Sequence, residues 1–317
     1  MRTVGIDLGG TNAYAVVLDD DRTIGHAKRR TPTDGGRNEV IKTLVKVADD
    51  ALDDAGLERT AVVGAGVGTP GIVIGGTVGN ASNVPGFDER FDLAAALHDR
   101  LDLPVRVAND VTAAAVGEHA LGGGRGADDI LVVFVGTGVG GGLMLGGVPF
   151  EGSHGGAGEF GHLVIRQGGA VCPCGRRGCV EAYAGRRAME LAAERAVAAG
   201  TPTVLFEVMD GKGKSRATSG VFKTALERGD ELVADLIDDG IAALGAGIAS
   251  TVNLLDLEVV VLGGGLADKL GESYLARVEA AMRPHLFLEP PRVRLVAAML
   301  GDEGGAVGAA LLARNVA

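Results

Sequence analysis

The sequence predicts an α/β fold in which two similar domains surround a central cleft. Short apolar runs rich in Val, Ile and Leu alternate along the chain with segments whose apolar residues recur at helical spacing. A unit of apolar strand, Gly/Thr turn and returning strand occurs twice, at residues 3–18 and 130–145. The 317 residues are enough for two domains of ordinary size. We therefore expect an internal duplication whose glycine turns face the cleft.

The first half begins with a predicted hairpin. Residues 3–8 and 13–18 are its strands, and Gly9-Gly10-Thr11-Asn12 is its turn. Helical and strand patterns then alternate, and the last predicted strand runs directly into Asn109-Asp110. These later elements are a helix at 40–55, a strand at 61–67, a helix at 92–101, a strand at 105–108 and a helix at 111–121.

The second half repeats the hairpin and then becomes mainly helical. Its turn, residues 136–142, lies between predicted strands at 130–135 and 143–145. A later strand leads into Gly263-Gly264-Gly265. The remaining predicted elements are helices at 184–200 and 230–255, that later strand at 257–262 and a terminal helix at 306–315.

Composition and charge exclude several classes of protein. Hydrophobic residues make up 46% of the chain but aromatic residues only 3%, which predicts a core of aliphatic side chains. The formal charge of −11 argues against nucleic-acid binding, which needs a basic face, and is typical of a solvated acidic surface. Neither a signal peptide nor an apolar run long enough to span a membrane is recognisable. We expect a cytoplasmic protein that binds neither nucleic acid nor membrane.

Three glycine-rich turns each follow a predicted strand. They are Gly9-Gly10-Thr11, Gly136-Thr137-Gly138 and Gly263-Gly264-Gly265. Backbone N–H groups in such turns can cradle phosphate oxygens, and a Thr hydroxyl adds a donor. One such turn is more often a plain hairpin, and none fits the Walker or dinucleotide pattern. Three of them together favour a site for nucleotide phosphates.

Three polar residues at strand ends or turns are candidates for the site, and each also has a purely local explanation. Asp7 could hold a magnesium-bound water near phosphates, or accept hydrogen bonds within its own turn. Asp110 could be a site carboxylate or merely the N-cap of a helix that begins at Val111. Asn83 precedes Pro85-Gly86, where Asn is common for local reasons.

All three cysteines lie in one short run, Cys172-Pro-Cys174-Gly-Arg-Arg-Gly-Cys179, with His162 upstream. Three thiolates and one imidazole are the ligands of a tetrahedral structural zinc site. The alternatives are weaker, because a disulfide within Cys-Pro-Cys would be strained and buried free thiols usually lie in apolar strands. Glu159 and Glu181 bracket this segment, and fixed carboxylates of this kind accept hydrogen bonds from polyol hydroxyls.

Taken together, these motifs resemble the ROK family of sugar kinases, which includes many bacterial glucokinases. The resemblance spans nearly the whole chain. The glycine turns are shared with a wider group of actin-like ATPases, whereas the zinc segment is specific to this family. The residues that carry it are Asp7–Thr11, Thr69-Pro70-Gly71, Asn109-Asp110, Gly136–Gly142, Gly158–His162, the cysteine run with Glu181, and Val260–Gly265.

The resemblance implies a ribonuclease-H-like fold of the actin and hexokinase type. The small domain would be residues 1–115 plus 303–317, and the large domain, with the zinc segment, residues 116–302. The implied reaction is ATP-dependent phosphorylation of a hexose, foremost glucose at its 6-hydroxyl, with Mg²⁺ and a structural Zn²⁺, in a homodimer or homotetramer.

The resemblance also implies a role for each motif residue. Asp110 would be the general base. The other sugar ligands would be Asn83, Asn109, Glu159, His162 and Glu181. The Mg-ATP side would be formed by Asp7, Gly9, Gly10, Thr11, Asn12, Thr137, Gly138 and Gly264. The zinc ligands would be His162, Cys172, Cys174 and Cys179.

Two positions depart from the family pattern, and three alternative functions stay open. Asn12 stands where Lys is frequent, and Val111-Thr112 where Ala-Asn is frequent. The substrate could be another hexose instead of glucose, namely mannose, fructose, N-acetylglucosamine or N-acetylmannosamine, and polyphosphate could replace ATP as donor. A ROK transcriptional regulator would carry a basic helix-turn-helix domain ahead of the kinase-like part, for which no room is expected before Gly5.

Overall fold

The computed structural model describes residues 1–81 and 83–316 and confirms the predicted α/β class. The chain forms two compact units. The first comprises Met1–Asp128, Gly142–Gly158 and Met299–Ala317, and the second comprises Asp129–Gly141 and Glu159–Ala298. The division expected after residue 115 falls inside a continuous helix, Asp110–Leu121, so the chain leaves the first unit only after that helix has ended.

The strands and helices are numbered in chain order. The strands are β1 (Arg2–Leu8), β2 (Asn12–Asp19), β3 (Arg22–Arg30), β4 (Ala65–Thr69), β5 (Ile72–Ile74), β6 (Thr77–Gly79), β7 (Phe91–Asp92), β8 (Val105–Asn109), β9 (Ile130–Val135), β10 (Val139–Leu145), β11 (Val148–Pro149), β12 (Val259–Gly263) and β13 (Arg294–Ala297). The α-helices are α1 (Gly36–Asp54), α2 (Leu93–Leu101), α3 (Asp110–Leu121), α4 (Glu181–Ala184), α5 (Arg186–Ala198), α6 (Leu205–Gly211), α7 (Ser219–Glu227), α8 (Glu231–Leu255), α9 (Gly265–Met282, interrupted at Gly271) and α10 (Gly304–Leu312).

Two five-stranded sheets share one topology. The first has the order β3-β2-β1-β4-β8, with antiparallel β1–β2 and β2–β3 pairs and parallel β1–β4 and β4–β8 pairs. The second has the order β11-β10-β9-β12-β13, in which β9, β12 and β13 are likewise parallel. A meander followed by parallel strands therefore occurs twice, as the repeated hairpins predicted. A small three-stranded sheet, β5-β6-β7, completes the strands.

Helix α10 packs closely against α3 and the first sheet. Its nine residues are all buried and mostly small. A Cβ atom on Gly308 would lie only 1.7 Å from the carbonyl oxygen of Ala113, and one on Gly5 would lie 2.0 Å from that of Ala306. Side chains at these positions would therefore force the backbones apart. Small residues in α10 have the close-packing role that the sequence indicated.

The buried carboxylate of Glu118 fixes the start of this returning segment. Glu118 lies on α3 and has no exposed surface. Its oxygens accept hydrogen bonds from the backbone N–H groups of Gly123, Met299 and Leu300 at 2.8–3.1 Å. A buried charge is tolerated when several donors satisfy it in this way. Glu118 thus ties the segment that precedes α10 to α3.

Several predicted elements differ from the observed ones in their bounds. Strand β4 begins at Ala65 instead of 61, because residues 59–61 form a short 3₁₀ turn. The helix predicted over 184–200 is broken by Gly185, whose extended backbone (ψ 132°) separates α4 from α5. Strand β10 begins at Val139, inside the predicted turn. In the described part of the chain, no helix combines the length and apolar character that crossing a bilayer would require.

Candidate functional site

In the first unit, Asp7 and Asp110 lie at the same edge of the first sheet. Parallel registers place Asp7 of β1 level with Gly68 of β4, and Gly68 level with Ala108 of β8. The carboxyl ends of parallel strands meet at one edge, so the residues that follow them converge. A Cβ atom on Gly68 would lie 3.4 Å from Asp110 Cα and 3.7 Å from Asp7 Oδ1. Both acidic residues therefore lie next to Gly68.

The Asp7 carboxylate lies in a strongly unfavourable electrostatic environment. Burial, followed by the negative charges of Asp110 and Asp302, raises the pKa of Asp7 from 3.8 to about 7. Asp302 belongs to the short turn before α10 and was not among the predicted site residues. Only the fold brings it near Asp7, since the two lie at opposite ends of the chain. A divalent cation held by oxygen ligands would relieve this repulsion.

Asn109, and not Asp110, is the N-cap of α3. Its Oδ1 accepts hydrogen bonds from the N–H groups of Val111 (3.0 Å) and Thr112 (3.3 Å), and its Nδ2 donates to the carbonyl of Gly71 (3.2 Å). The helix begins at Asp110, one residue earlier than predicted. The Oδ1 atom of Asp110 also accepts from the N–H of Val111 at 2.9 Å. The cap therefore does not require Asp110, whose carboxylate sits at the positive end of the helix.

Asn83 lies against the first glycine turn. A Cβ atom on Gly10 would be 3.4 Å from Asn83 Nδ2. The turn itself is closed by the N–H of Gly9, which donates to the carbonyl of Asn12 at 2.9 Å. The hydroxyl of Thr31, on the loop after β3, donates to the carbonyl of Gly9 at 2.6 Å. In the first unit, Asn83 and the turn residues Gly9 to Asn12 thus form one surface.

In the second unit, Glu181 supports the second glycine turn from behind. Its Oε2 atom accepts a hydrogen bond from the N–H of Val139 at 2.9 Å. A Cβ atom on Gly138 would lie 2.2 Å from the same oxygen, so the contact requires glycine there. Thr137 is exposed at the tip of the turn. The carboxylate predicted to bind substrate therefore also determines the position of the turn.

The third turn is held by a backbone that only glycine adopts readily. Gly264 has φ +89°, and a Cβ atom there would lie 2.7 Å from the backbone nitrogen of Val135. It precedes α9, so the N-terminus of that helix follows the turn directly. Because β12 pairs with β9, the second and third turns both leave the carboxyl ends of neighbouring parallel strands.

The four predicted zinc ligands meet in one cluster. One ligand atom from each of His162, Cys172, Cys174 and Cys179 lies within 4.8 Å of all the others. Cys172 Sγ is 3.8 Å from His162 Nδ1, and Cys174 Sγ is 3.9 Å from Cys179 Sγ. A tetrahedral zinc with bonds of about 2.0–2.3 Å places its ligands roughly 3.3–3.8 Å apart. The donor set and its spacing therefore fit zinc.

Local backbone bonds shape the loop that carries the three cysteines. The N–H of Cys172 donates to Arg176 O at 2.8 Å, and the N–H of Gly175 donates to Cys172 O at 2.9 Å. Gly178 has φ +83°, and a Cβ atom there would lie 1.8 Å from the carbonyl of Arg166. Burial raises the pKa of the Cys172 thiol well above its usual range, so only a bound cation would favour its thiolate.

His162 and Glu181 connect the cluster to the predicted sugar ligands of this unit. His162 Nδ1 faces Cys172, whereas its Nε2 lies 3.9 Å from Glu159 Oε2. Glu181 Oε1 lies 3.7 Å from Cys172 Sγ. The loop that carries the cysteines thus contacts Glu181 directly and Glu159 through His162.

Arg186 was also missed by sequence reasoning. Its guanidinium donates to Thr137 Oγ1 at 3.2 Å. The only signal in the sequence was the pair Arg186-Arg187 soon after Glu181, and its nearness to the second turn is a finding of the structure.

Comparisons with known proteins identify the family. The ROK family matches residues 3–316. A glucokinase of Streptomyces coelicolor is 34% identical over 99% of this chain and 98% of its own. An N-acetylmannosamine kinase of Haemophilus influenzae is 29% identical over 100% of this chain and 96% of its own. The crystal structure of a ROK glucokinase from Streptomyces griseus, in complex with glucose and AMPPNP, superposes with a TM-score of 0.81 at 32% identity, over 99% and 100% of the two chains.

These matches extend over nearly the full length of the chain. The fold is the ribonuclease-H-like fold of the actin and hexokinase type. The chain belongs to the ROK family.

Proposed function

We propose that this protein phosphorylates a hexose with ATP, with glucose as its preferred substrate and the 6-hydroxyl as the acceptor. The class of enzyme, an ATP-dependent sugar kinase, follows from its family and its full-length relatives. The single observation that carries the proposal within the chain is the pair Asp7 and Asp110 at the carboxyl edge of the first sheet. Two carboxylates so close together suit a reaction that needs both a cation ligand and a proton acceptor.

Asp110 is the general base in this proposal. Its carboxylate takes the proton of the 6-hydroxyl as the oxygen attacks the γ-phosphorus. The new O–P bond forms while the bond from the γ-phosphorus to the β–γ bridging oxygen breaks, and ADP leaves with that oxygen. A positioned base of this kind contributes about a hundred- to ten-thousand-fold in rate. Asn109 positions Asp110, because its cap fixes the first turn of α3.

Asp7 would take part in holding magnesium. Its raised pKa, caused by burial and by the charges of Asp110 and Asp302, marks a place where a cation is favourable. Bound magnesium would neutralise charge on the transferring phosphoryl group. The backbone N–H groups of Gly9, Gly10, Thr11 and Asn12, with those of Thr137, Gly138 and Gly264, would hold the nucleotide.

The proposed ligands of the hexose hydroxyls are Asn83 and Asn109 in the first unit and Glu159, His162 and Glu181 in the second. The 3.9 Å between His162 Nε2 and Glu159 Oε2 is too long for a direct hydrogen bond but short enough for one hydroxyl to bond both. Zinc would bind His162 through Nδ1, leaving a proton on Nε2 to donate. Its role would be structural.

A second hexose specificity is the main competing function, since an N-acetylmannosamine kinase matches the whole chain. A coupled assay of ADP release, run with glucose, mannose, fructose, N-acetylglucosamine and N-acetylmannosamine, tests this directly. ATP, polyphosphate and no donor are compared for each sugar. We expect the highest kcat/KM with glucose and ATP. A higher value for N-acetylmannosamine would reassign the substrate, and no sugar-dependent turnover would contradict the proposed function.

A further inference from the structure

Two adjacent arginines in the second unit have opposite electrostatic surroundings. Arg187 donates to Glu190 Oε1 at 2.7 Å and lies 3.7 Å from Glu194 Oε1. Arg186 has no carboxylate within ion-pairing distance among the described residues. Its guanidinium bonds only neutral oxygens, those of Thr137 (3.2 Å) and Ala217 (3.3 Å). Arg187 is explained as a structural ion pair, whereas Arg186 forms no ion pair among the described residues and feels the charge of Glu190 only from a longer distance.

Partial burial makes this charge costly, because Glu190 offsets the desolvation of Arg186 only in part. The Nε atom of Arg186 is buried and has no hydrogen-bond acceptor among the described residues. Burial also lowers the pKa of its guanidinium. A partly desolvated cation is stabilised by an anion that approaches its exposed side. A bound ligand that carries negative charge would therefore lower the free energy of this site.

The position of Arg186 identifies the kind of anion. The N–H groups of Arg186 and Arg187 donate to the carbonyls of Gly136 and Thr137, so the start of α5 is bonded to the second glycine turn. The guanidinium reaches the exposed Thr137 hydroxyl at the tip of that turn. An arginine fork matches the geometry of phosphate oxygens. The first turn contributes no such charge, because Asn12 follows Gly9-Gly10-Thr11.

We infer that Arg186 binds a phosphate group of the donor nucleotide at the Gly136-Thr137-Gly138 turn. The inference rests on the proposed function, since that function places the nucleotide at this turn. Arg186 then supplies at the second turn the positive charge that a lysine at position 12 would bring at the first. Thr137 and Arg186 act together, one as a hydroxyl donor and the other as a charged donor.

Nucleotide binding in the absence of hexose tests the inference. Dissociation constants for MgADP and for adenosine are measured by calorimetry on the wild type, Arg186→Met, Arg186→Lys and Arg195→Met. Arg195 lies on the same helix, in its last turn, and is exposed, so its removal controls for the loss of one positive charge. Arg186→Met is expected to weaken MgADP about 10- to 100-fold, because a charge-assisted bond is lost. Adenosine, which carries no phosphate, should bind within about twofold of the wild type.

The remaining variants separate charge from structure. Arg186→Lys should recover part of the MgADP affinity, and Arg195→Met should bind like the wild type. The KM for ATP should rise with the MgADP dissociation constant while the KM for hexose stays unchanged. The inference would be overturned if Arg186→Met weakened MgADP and adenosine binding equally, or if it left MgADP affinity unchanged. It would also be overturned if Arg186→Lys bound MgADP no better than Arg186→Met. A wild type that binds no nucleotide would overturn the proposed function as well, which distinguishes the two failures.

Discussion

Glu181 Oε2 accepts a hydrogen bond from the N–H of Val139 at 2.9 Å, while its Oε1 lies 3.7 Å from Cys172 Sγ. One carboxylate therefore touches both the second glycine turn and the Cys/His cluster. This relationship explains how the loop that carries the cysteines can affect a turn that lies far from it in sequence. It also gives Glu181 two separable roles, one for each oxygen.

Replacing Glu181 in two ways should separate these roles. Glu181→Gln keeps an oxygen that can accept from Val139, so the turn should stay in place and the KM for ATP should change by less than about threefold. The KM for hexose should rise about tenfold, because the charged acceptor for a hydroxyl is lost. Glu181→Ala removes both acceptors and should raise both KM values. Steady-state kinetics with each substrate varied in turn measures both KM values. An equal rise of the KM for ATP in Glu181→Gln and Glu181→Ala would contradict the separation of the two roles.

Loss of one zinc ligand should remove both metal and sugar affinity. Cys174→Ser leaves three of the four ligands, and we expect bound zinc to fall below about 0.2 per chain and hexose affinity to fall at least about tenfold. The reason is that the same loop positions His162, Glu159 and Glu181. Metal content by mass spectrometry and hexose binding by calorimetry are the two readouts. The control Val171→Ser changes an exposed neighbour of Cys172 and should retain both bound zinc and hexose affinity. Metal-free protein with full hexose affinity would refute the coupling of zinc to sugar binding.

The raised pKa of Asp7 should make the protein less stable as pH rises. In the folded state Asp7 titrates at about 7, whereas 3.8 is the value expected when it is unfolded. Between these values the folded state binds more protons, so the free energy of unfolding falls as pH rises from about 4 to about 7. Asp7→Asn removes this cost and should stabilise the metal-free protein at pH 8 by about 1–3 kcal/mol, with a smaller gain at about pH 5.

Urea unfolding at pH 5 and pH 8, without magnesium, measures this difference. Asp53→Asn removes an exposed carboxylate from α1 and controls for the change in net charge. The Asp7→Asn variant should also lose most of its activity, because the proposed cation ligand is gone. A gain in stability that is the same at both pH values would show that Asp7 is not the group responsible.

The close contact between α10 and α3 should make Gly308 sensitive to the smallest side chain. A Cβ atom there would lie 1.7 Å from the carbonyl oxygen of Ala113. Gly308→Ala should therefore lower the free energy of unfolding by about 1–3 kcal/mol or more. Gly211→Ala is the matched control, because Gly211 ends α6 with nothing within 4 Å of the added atom. That change should be neutral or slightly stabilising. Thermal unfolding of both variants checks the contrast.

The parts of the site that were predictable depend on local sequence. The predicted zinc ligands lie within a short segment. Asp7 lies near the end of one clearly apolar strand, and Asp110 comes directly after the end of another. Parallel strands bring these two residues to one edge of the sheet, which is a finding of the structure. The zinc loop and the glycine turns were recognisable from local sequence.

The parts that were not predictable depend on tertiary packing. Asp302 approaches Asp7 only because α10 returns to the first sheet from the far end of the chain. The cap on α3 is Asn109 instead of Asp110, a choice between adjacent residues that depends on the backbone angles of Asn109. Arg186 forms no direct ion pair because the Glu190 oxygens bond Arg187 and the N–H of Ala217. Strand β3 has an exposed, charged face and gave no strong apolar signal.

The role of Asp110 as the general base is the central claim, and Asp110→Asn is its most direct test. Hexose and MgADP binding are measured by calorimetry and kcat by coupled assay, with Asp99→Asn on α2 as an exposed control that should match the wild type. We predict that both dissociation constants stay within about threefold of the wild type while kcat falls about a hundred- to ten-thousand-fold. A kcat within about tenfold of the wild type, with binding unchanged, would contradict the assignment.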